Sequence, residues 1–148
     1  MALALTLGRR GQGNTWPNPA VGCVLVRDGR IVGRGWTKPG GRPHAETEAL
    51  AQAGDLARGA TAFVTLEPCA HHGHTPPCAD ALIAAGVARV VVAVEDSDSR
   101  VAGKGLTMLR DAGIEVEIGV MADEAARDLQ GFFLKTDLGR PFLTLKLA

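Results

Sequence analysis

Hydrophobic and polar positions along this chain follow two patterns, one typical of strands and one typical of helices. Short runs of β-branched and apolar residues, bounded by glycine, proline or polar turns, predict strands. Segments rich in Ala, Leu and charged residues predict helices. The predicted strands cover residues 21–26, 30–35, 61–66, 89–94, 114–118 and 142–147, and the predicted helices cover residues 2–10, 44–53, 78–85, 101–111 and 121–135.

The order of these elements predicts a layered α/β fold. Asp28-Gly29, between the first two strands, is a strong signal for a β-hairpin. After the hairpin, strands alternate with helices, which favours a sheet with helices on both faces. Because crossovers between parallel strands are right-handed, we expect the later strands to be mostly parallel.

Composition and charge indicate an ordinary globular domain. The 148 residues are 46% hydrophobic and 22% charged, and the 16 basic residues balance the 16 acidic ones. A neutral chain has no basic stripe for phosphate groups, so we expect no nucleic-acid partner. No apolar run approaches eighteen residues and the start of the chain lacks a secretory pattern, so we expect no membrane span and a cytoplasmic location.

The three cysteines favour metal binding over disulfide formation. Cys69 and Cys78 lie in recognisable motifs, and an odd number of cysteines leaves one without a disulfide partner. A bridge between Cys69 and Cys78 under oxidising conditions remains the alternative. Cys23 lies in an apolar run, which predicts a small core residue.

One stretch carries the candidate chemistry: His44-Ala45-Glu46, then Pro68-Cys69, then Cys78. One imidazole and two thiols suit a catalytic zinc, which keeps a fourth position for water. Zinc lowers the pKa of water from about 16 to about 7. His-x-Glu followed by Pro-Cys is typical of zinc base deaminases, in which the Glu transfers protons. Glu46 is therefore the predicted catalytic residue, with His44, Cys69 and Cys78 as metal ligands.

Two other readings of this stretch stay open. A closed structural zinc site would need a fourth ligand, for which His71, His72 and His74 are candidates. Alternatively, His44 only caps a helix.

The spacing also departs from that of nucleic-acid and nucleoside deaminases, which have two residues between the cysteines. Here eight residues, 70–77, separate them, and we expect this insert to line the substrate pocket.

Five runs resemble the deaminase domain of the bifunctional riboflavin-biosynthesis deaminase–reductase family. They are Pro17-Asn18-Pro19-Ala20-Val21-Gly22, His44-Ala45-Glu46, Thr65-Leu66-Glu67-Pro68-Cys69-Ala70-His71, Thr75-Pro76-Pro77-Cys78 and Val101-Ala102-Gly103-Lys104-Gly105. The resemblance implies a cytidine-deaminase-like three-layer α/β/α sandwich around a mixed five-stranded sheet. It implies that residues 1–140 are the deaminase domain and that residues 141–148 begin a reductase domain, the only part that would use NADPH.

The resemblance also implies the reaction, which is hydrolytic removal of the 2-amino group of 2,5-diamino-6-ribosylamino-4(3H)-pyrimidinone 5′-phosphate. Asn18, His71 and Asp96 match substrate-contacting positions of the family. Two further positions depart from it: Asp98 replaces a usual Asn, and His74 replaces a usual Lys or Arg. Asp98 adds an acceptor near a phosphorylated ligand, whereas His74 exchanges a fixed cation for one that titrates.

Partners and rival functions follow from the same residues. We expect a small phosphorylated pyrimidine and water as substrates. An exposed edge on the final predicted strand favours pairing with a second chain, so a homodimer is expected. The rivals are another base or nucleoside deaminase and a non-catalytic zinc-stabilised domain that supports a reductase. A carboxylate such as Glu46 beside an open zinc site has no purpose in a scaffold.

Overall fold

The computed structural model describes residues 1–71, 76–98, 102–143, 145 and 147. Within these residues the chain forms one five-stranded sheet and six α-helices. No helix of the described part has the length and apolarity needed to cross a membrane. In chain order the elements are α1 (Ala2–Gly8), β1 (Gly22–Arg27), β2 (Arg30–Trp36), α2 (Ala45–Ala53), β3 (Thr61–Leu66), α3 (Cys78–Ala84), β4 (Arg89–Val94), α4 (Lys104–Asp111), β5 (Glu115–Ile118), α5 (Ala122–Asp128) and α6 (Gln130–Leu138).

The sheet is mixed, with strand order β2-β1-β3-β4-β5. β1 pairs antiparallel with both β2 and β3, whereas β3–β4 and β4–β5 are parallel. The predicted hairpin is confirmed: Asp28 and Gly29 both have positive φ, 51° and 70°. Two consecutive residues with positive φ give the turn whose twist matches that of the flanking strands.

Helices cover both faces of the sheet, which confirms the predicted three-layer α/β/α arrangement. Alternate side chains of one strand point to opposite faces. On β4, Val90 and Val92 pack in the main core with α2, α3 and α4, whereas Ala93 packs with Leu5 of α1 and Ala125 of α5. Apolar burial on both faces explains why β4 is an almost continuous valine run.

Glycines on β2 allow helix α2 to lie close to the sheet. A Cβ built at Gly33 would overlap the carbonyl oxygen of Ala49, and one at Gly35 would overlap that of Ala45. The small residues Ala45, Ala49 and Ala53 of α2 are all buried. This close packing fixes the position of the N-terminus of α2, where His44 is the N-cap residue.

Two of the predicted helices differ substantially from the observed ones. Helix α4 begins at Lys104 rather than at 101, because Gly103 has φ 79°, a left-handed conformation that a right-handed helix excludes. The helix predicted for residues 121–135 is two helices, α5 and α6. The chain turns at buried Leu129, and this turn also packs Phe132 and Phe133 against the core.

The predicted last strand, 142–147, is also absent from the part of the chain that the structure describes. Phe142, Leu143, Leu145 and Leu147 have no strand partner and are 50–85% exposed. A strand forms only where a neighbouring strand pairs its N–H and C=O groups. Leu143, Leu145 and Leu147 alternate along the sequence as residues of a strand do, but no strand of the described sheet pairs with them. Residues 144, 146 and 148 lie outside the described residues.

Candidate active site and metal centre

A cavity of about 550 Å³ opens at the carboxyl ends of β3 and β4, beside the N-terminus of α2. Ligands of open α/β sheets bind in this position, outside the carboxyl ends of the strands. The cavity is lined by seven of the residues predicted from the sequence: Asn18, His44, Glu46, Cys69, His71, Asp96 and Asp98. Cys78 lies beside them at the start of α3. His74 and His72 lie outside the described residues.

Three side chains from separate elements converge at this cavity. Nδ1 of His44 lies 3.3 Å from Sγ of Cys78 and 3.8 Å from Sγ of Cys69, and the three atoms lie within 4.8 Å of one another. Tetrahedral zinc with ordinary bond lengths would separate a nitrogen and a sulfur ligand by about 3.6 Å, and two sulfurs by about 3.8 Å. The donor set and its spacing therefore fit one zinc ion.

Hydrogen bonds within the cluster favour thiolate at Cys69. The Cys78 thiol donates to Cys69, which lowers the pKa of Cys69 to about 4 and raises that of Cys78 well above its usual range. The backbone N–H of Cys78 also donates to Sγ of Cys69, at 3.3 Å. The hydrogen bond with Cys69 raises the pKa of His44 as well. Metal ligation requires deprotonated sulfur, so these donors prepare Cys69 as a ligand, whereas Cys78 has to lose its proton when a metal binds.

Glu46 lies in the first turn of α2 and is 3% exposed. Burial raises the pKa of its carboxyl group to about 7. A carboxyl group is best able both to take up and to release a proton when its pKa is close to the working pH. Cys23 is fully buried on β1. Burial, together with the nearby negative charge of Glu46, raises the pKa of the Cys23 thiol. Cys23 is a core residue, as predicted.

The predicted substrate residues differ in how they are held. Nδ2 of Asn18 donates to the carbonyl of Gly41 at 2.8 Å, so this side chain is fixed in the loop that precedes β1. Oδ1 of Asp96 accepts a hydrogen bond from the backbone N–H of Asp98 at 2.9 Å. Nδ1 of His71 is buried and has no hydrogen-bond partner among the described residues. All of them line the same cavity.

Sequence reasoning missed two cations and one carboxylate in the cavity wall: Arg42, Lys135 and Glu67. Arg42 lies close enough to His44 for its charge to oppose the protonation of that imidazole. Nζ of Lys135, on α6, donates to the carbonyl of Pro17 at 3.2 Å and lies 4.0 Å from the ring centre of Trp16. Proximity to His44 in sequence could have identified Arg42. No local pattern could have brought α6 to this cavity.

Comparisons with known proteins agree with this geometry. Residues 1–94 match the cytidine and deoxycytidylate deaminase zinc-binding region. The riboflavin biosynthesis protein RibD of Escherichia coli is 56% identical over 148 residues, which is 100% of this chain and 40% of that protein. The diaminohydroxyphosphoribosylamino-pyrimidine deaminase of Buchnera aphidicola (Schizaphis graminum) is 47% identical, over 95% of this chain and 96% of that protein.

Solved structures agree as well. RibD of Acinetobacter baumannii superposes with a TM-score of 0.91 at 54% identity, over 95% of this chain and 40% of that one. The chain spans 40–42% of the length of the RibD relatives from Escherichia coli, Haemophilus influenzae, Aquifex aeolicus and Bacillus amyloliquefaciens. The chain belongs to the family with the cytidine and deoxycytidylate deaminase zinc-binding region and, within it, to the diaminohydroxyphosphoribosylaminopyrimidine deaminases.

Proposed function

We propose that the chain catalyses hydrolytic deamination of 2,5-diamino-6-ribosylamino-4(3H)-pyrimidinone 5′-phosphate, and that His44, Cys69 and Cys78 hold the zinc ion this reaction needs. The observation that carries the proposal is buried Glu46, which lies in one cavity with the His44–Cys69–Cys78 cluster. A cluster of three ligands beside a carboxyl group is an arrangement for activating water, and a closed structural site has no use for it. The Buchnera aphidicola relative, matched over 96% of its length, is named for this substrate.

The chemistry follows from the groups that face the cavity. Zinc held by the cluster would supply the positive charge that makes water nucleophilic near neutral pH. Glu46 takes the proton that water loses as its oxygen bonds to C2 of the pyrimidinone. Glu46 passes this proton to the ring nitrogen, then takes the second proton from the new hydroxyl group on C2 and delivers it to the departing amino group. The C2–N bond breaks, ammonia leaves, and the product carries a carbonyl at C2, which makes it the 5-amino-6-ribosylaminouracil phosphate.

Polar residues around the cavity are suited to a phosphorylated substrate. Asn18, His71, Asp96 and Asp98 are proposed to bind it, and Nδ1 of His71, which has no partner among the described residues, offers a hydrogen-bonding group to a ligand. The carboxylates of Asp96 and Asp98 suit amino and ribose hydroxyl groups, which donate hydrogen bonds. They would repel a phosphate group.

Two cations supply the opposite charge. Arg42 and Lys135 lie in the cavity wall, and their positive charges suit the 5′-phosphate. His74, which belongs to the insert between the two cysteines, keeps its substrate-binding role as a prediction. The two kinds of charge in one cavity favour a ligand with a donor-rich base or sugar and an anionic group.

The direct test is release of ammonia from the diaminopyrimidinone ribosyl phosphate by zinc-loaded protein, with cytidine and adenosine as control substrates. We expect turnover of the first compound alone. Turnover of a control compound instead would keep the chemistry and overturn the proposed substrate. No turnover of any of the three, with zinc bound stoichiometrically, would favour a scaffold role.

The proposed domain division is 1–140 for the deaminase and 141–148 for the start of a reductase part, which alone would use NADPH. A solved Thermotoga maritima relative is described as both deaminase and 5-amino-6-(5-phosphoribosylamino)uracil reductase, and this chain covers 41% of it. NADPH oxidation by a longer polypeptide that includes this chain tests the division.

We also infer a cytoplasmic location, which suits the free thiols of Cys69 and Cys78. The proposed homodimer is tested by the solution mass from light scattering.

A further inference from the structure

Glu67 is a buried carboxylate that the proposed chemistry does not use. It directly follows β3 and is 3% exposed. Its backbone N–H donates to the carbonyl of Val94 at the end of β4, at 3.0 Å. The side chain therefore starts from the point where the two central parallel strands end, and it contributes to the cavity wall.

Four backbone amides donate to the two oxygens of Glu67. Oε2 accepts from the N–H of Asp96 at 3.2 Å and of Gly103 at 2.9 Å. Oε1 accepts from the N–H of Gly105 at 2.9 Å and of Leu106 at 3.4 Å. A buried carboxylate is tolerated when donors of this kind replace its water shell. We call these four hydrogen bonds the Glu67 amide cluster.

The amide cluster joins both ends of the segment between β4 and α4. Asp96 lies two residues after the last residue of β4, whereas Gly105 and Leu106 belong to the first turn of α4. The N-terminal turn of a helix leaves N–H groups without partners inside the helix, and Glu67 satisfies two of them. One side chain thus fixes the start and the end of this segment to the end of β3.

Two glycines of the cluster are required for different reasons. A Cβ at Gly105 would overlap the carbonyl oxygen of Pro68, and Gly103 has φ 79°, which favours glycine. Close contact with the Pro68 backbone therefore explains Gly105, and the left-handed backbone conformation explains Gly103. The Pro68 backbone continues directly into Cys69.

The cluster leads to the proposed substrate-binding wall. Glu67 holds the amide of Asp96, and Oδ1 of Asp96 in turn accepts from the amide of Asp98. Asp96 and Asp98 both line the cavity. We propose that Glu67 is a positioning residue, which sets the Asp96–Asp98 segment at a fixed place relative to the metal-binding loop. This inference rests on the proposed function for its effect on substrate, but not for the cluster itself.

Amide hydrogen exchange tests the cluster without any substrate. In the native protein we expect the amides of Asp96, Gly103, Gly105 and Leu106 to be protected, although Gly103 and Asp96 lie outside regular structure. Glu67→Gln keeps the shape but puts an NH₂ group against N–H donors. The two amides that face the NH₂ group lose their acceptor, and loss of a hydrogen bond to a charged group corresponds to at least about tenfold faster exchange of those two amides.

The matched control is Glu95→Gln, the same change at an exposed residue one position before Asp96. It should leave the four amides unchanged, and in both variants the amides of β4 should keep their protection. Exchange of the four amides at loop rates in the native protein would overturn the proposal, and this measurement needs no variant to fold. Unchanged exchange in Glu67→Gln would overturn it too.

Kinetics test the consequence for substrate. Glu67→Gln should retain stoichiometric zinc and raise the KM at least about tenfold, with a smaller change in kcat, because it displaces binding groups. In an Asp96→Ala background the same change should raise KM by a smaller factor than in the native background, since one of the two binding side chains that it displaces is gone. Additive effects, or loss of zinc and kcat without a change in KM, would reduce Glu67 to a structural residue. Absence of turnover by the native protein would refute the proposed function and leave the exchange result to decide the amide cluster.

Discussion

Glu46, His44, Cys69 and Cys78 were identifiable as single residues because deaminase chemistry requires particular side chains at short spacings. His44 is the N-cap residue of α2, Glu46 lies in its first turn, and Pro68-Cys69 follows a strand. The spacing of these residues in the sequence does not show that Glu46 is buried. The structure shows this burial, which raises the pKa of Glu46 to about 7. Arg42 had no motif to identify it, and its place in the cavity wall depends on how the loop before α2 folds.

Glu46→Gln should lower kcat by about 10²- to 10⁴-fold, because the amide cannot take up the proton that water loses. The two side chains have the same shape, and Glu46 is not among the three clustered ligand atoms. Zinc content and thermal stability should therefore stay close to those of the native protein. Single-turnover rates together with metal analysis check this, and retained turnover would remove Glu46 from the proposed role.

Arg42→Ala should raise the KM for the phosphorylated substrate about ten- to a hundredfold, because a hydrogen bond between charged groups is lost. The effect on kcat should be smaller, since Arg42 is assigned to the phosphate and not to the reacting carbon. The matched control is the same substrate without its phosphate. Its turnover should be equally poor with both proteins, and an unequal effect of the variant on that compound would contradict the assignment.

At the scale of elements, β3 and β4 were predicted with their observed ends, because β-branched runs bounded by turns have few other conformations available. Errors occurred where distant contacts decide the outcome. The sequence pattern places the start of this helix at residue 101. In the structure the backbone N–H of Gly103 donates to the carboxylate of Glu67, and the helix begins at the next residue. The last predicted strand has the alternating pattern of a strand, but no described strand pairs with it. Whether a pairing strand is present cannot be read from the local sequence.

The position of α2 depends on Gly35, so Gly35→Ala should destabilise the protein by about 1–3 kcal/mol. A Cβ there overlaps the carbonyl oxygen of Ala45 and pushes the helix start, with His44 and Glu46, away from the sheet. Zinc affinity should fall together with stability. Denaturant unfolding and competition with a chelator measure the two effects.

Gly29→Ala is the matched control for that change. Gly29 has positive φ, which Gly35 does not, and a Cβ there meets nothing within 4 Å. Its cost should be about 1–2 kcal/mol from backbone strain alone, with zinc affinity unchanged. Equal loss of zinc affinity in both variants would show that general destabilisation, and not the displacement of α2, weakens the cluster.

At the scale of the whole molecule, the proposed metal centre links three elements that are otherwise distant in sequence. His44 precedes α2, Cys69 follows β3 and Cys78 begins α3. A metal that binds only the folded arrangement stabilises it by mass action, by about 4 kcal/mol at a free concentration a thousand times the Kd.

Removal of zinc by a chelator should therefore lower the Tm by about 10 °C in a chain of this size. Cys69→Ser, which lacks one thiol ligand, should start with less zinc and a lower Tm, and its Tm should respond less to the chelator. The same Tm before and after metal removal, with loss of the metal verified by elemental analysis, would mean that packing alone holds α2, α3 and the end of β3 together.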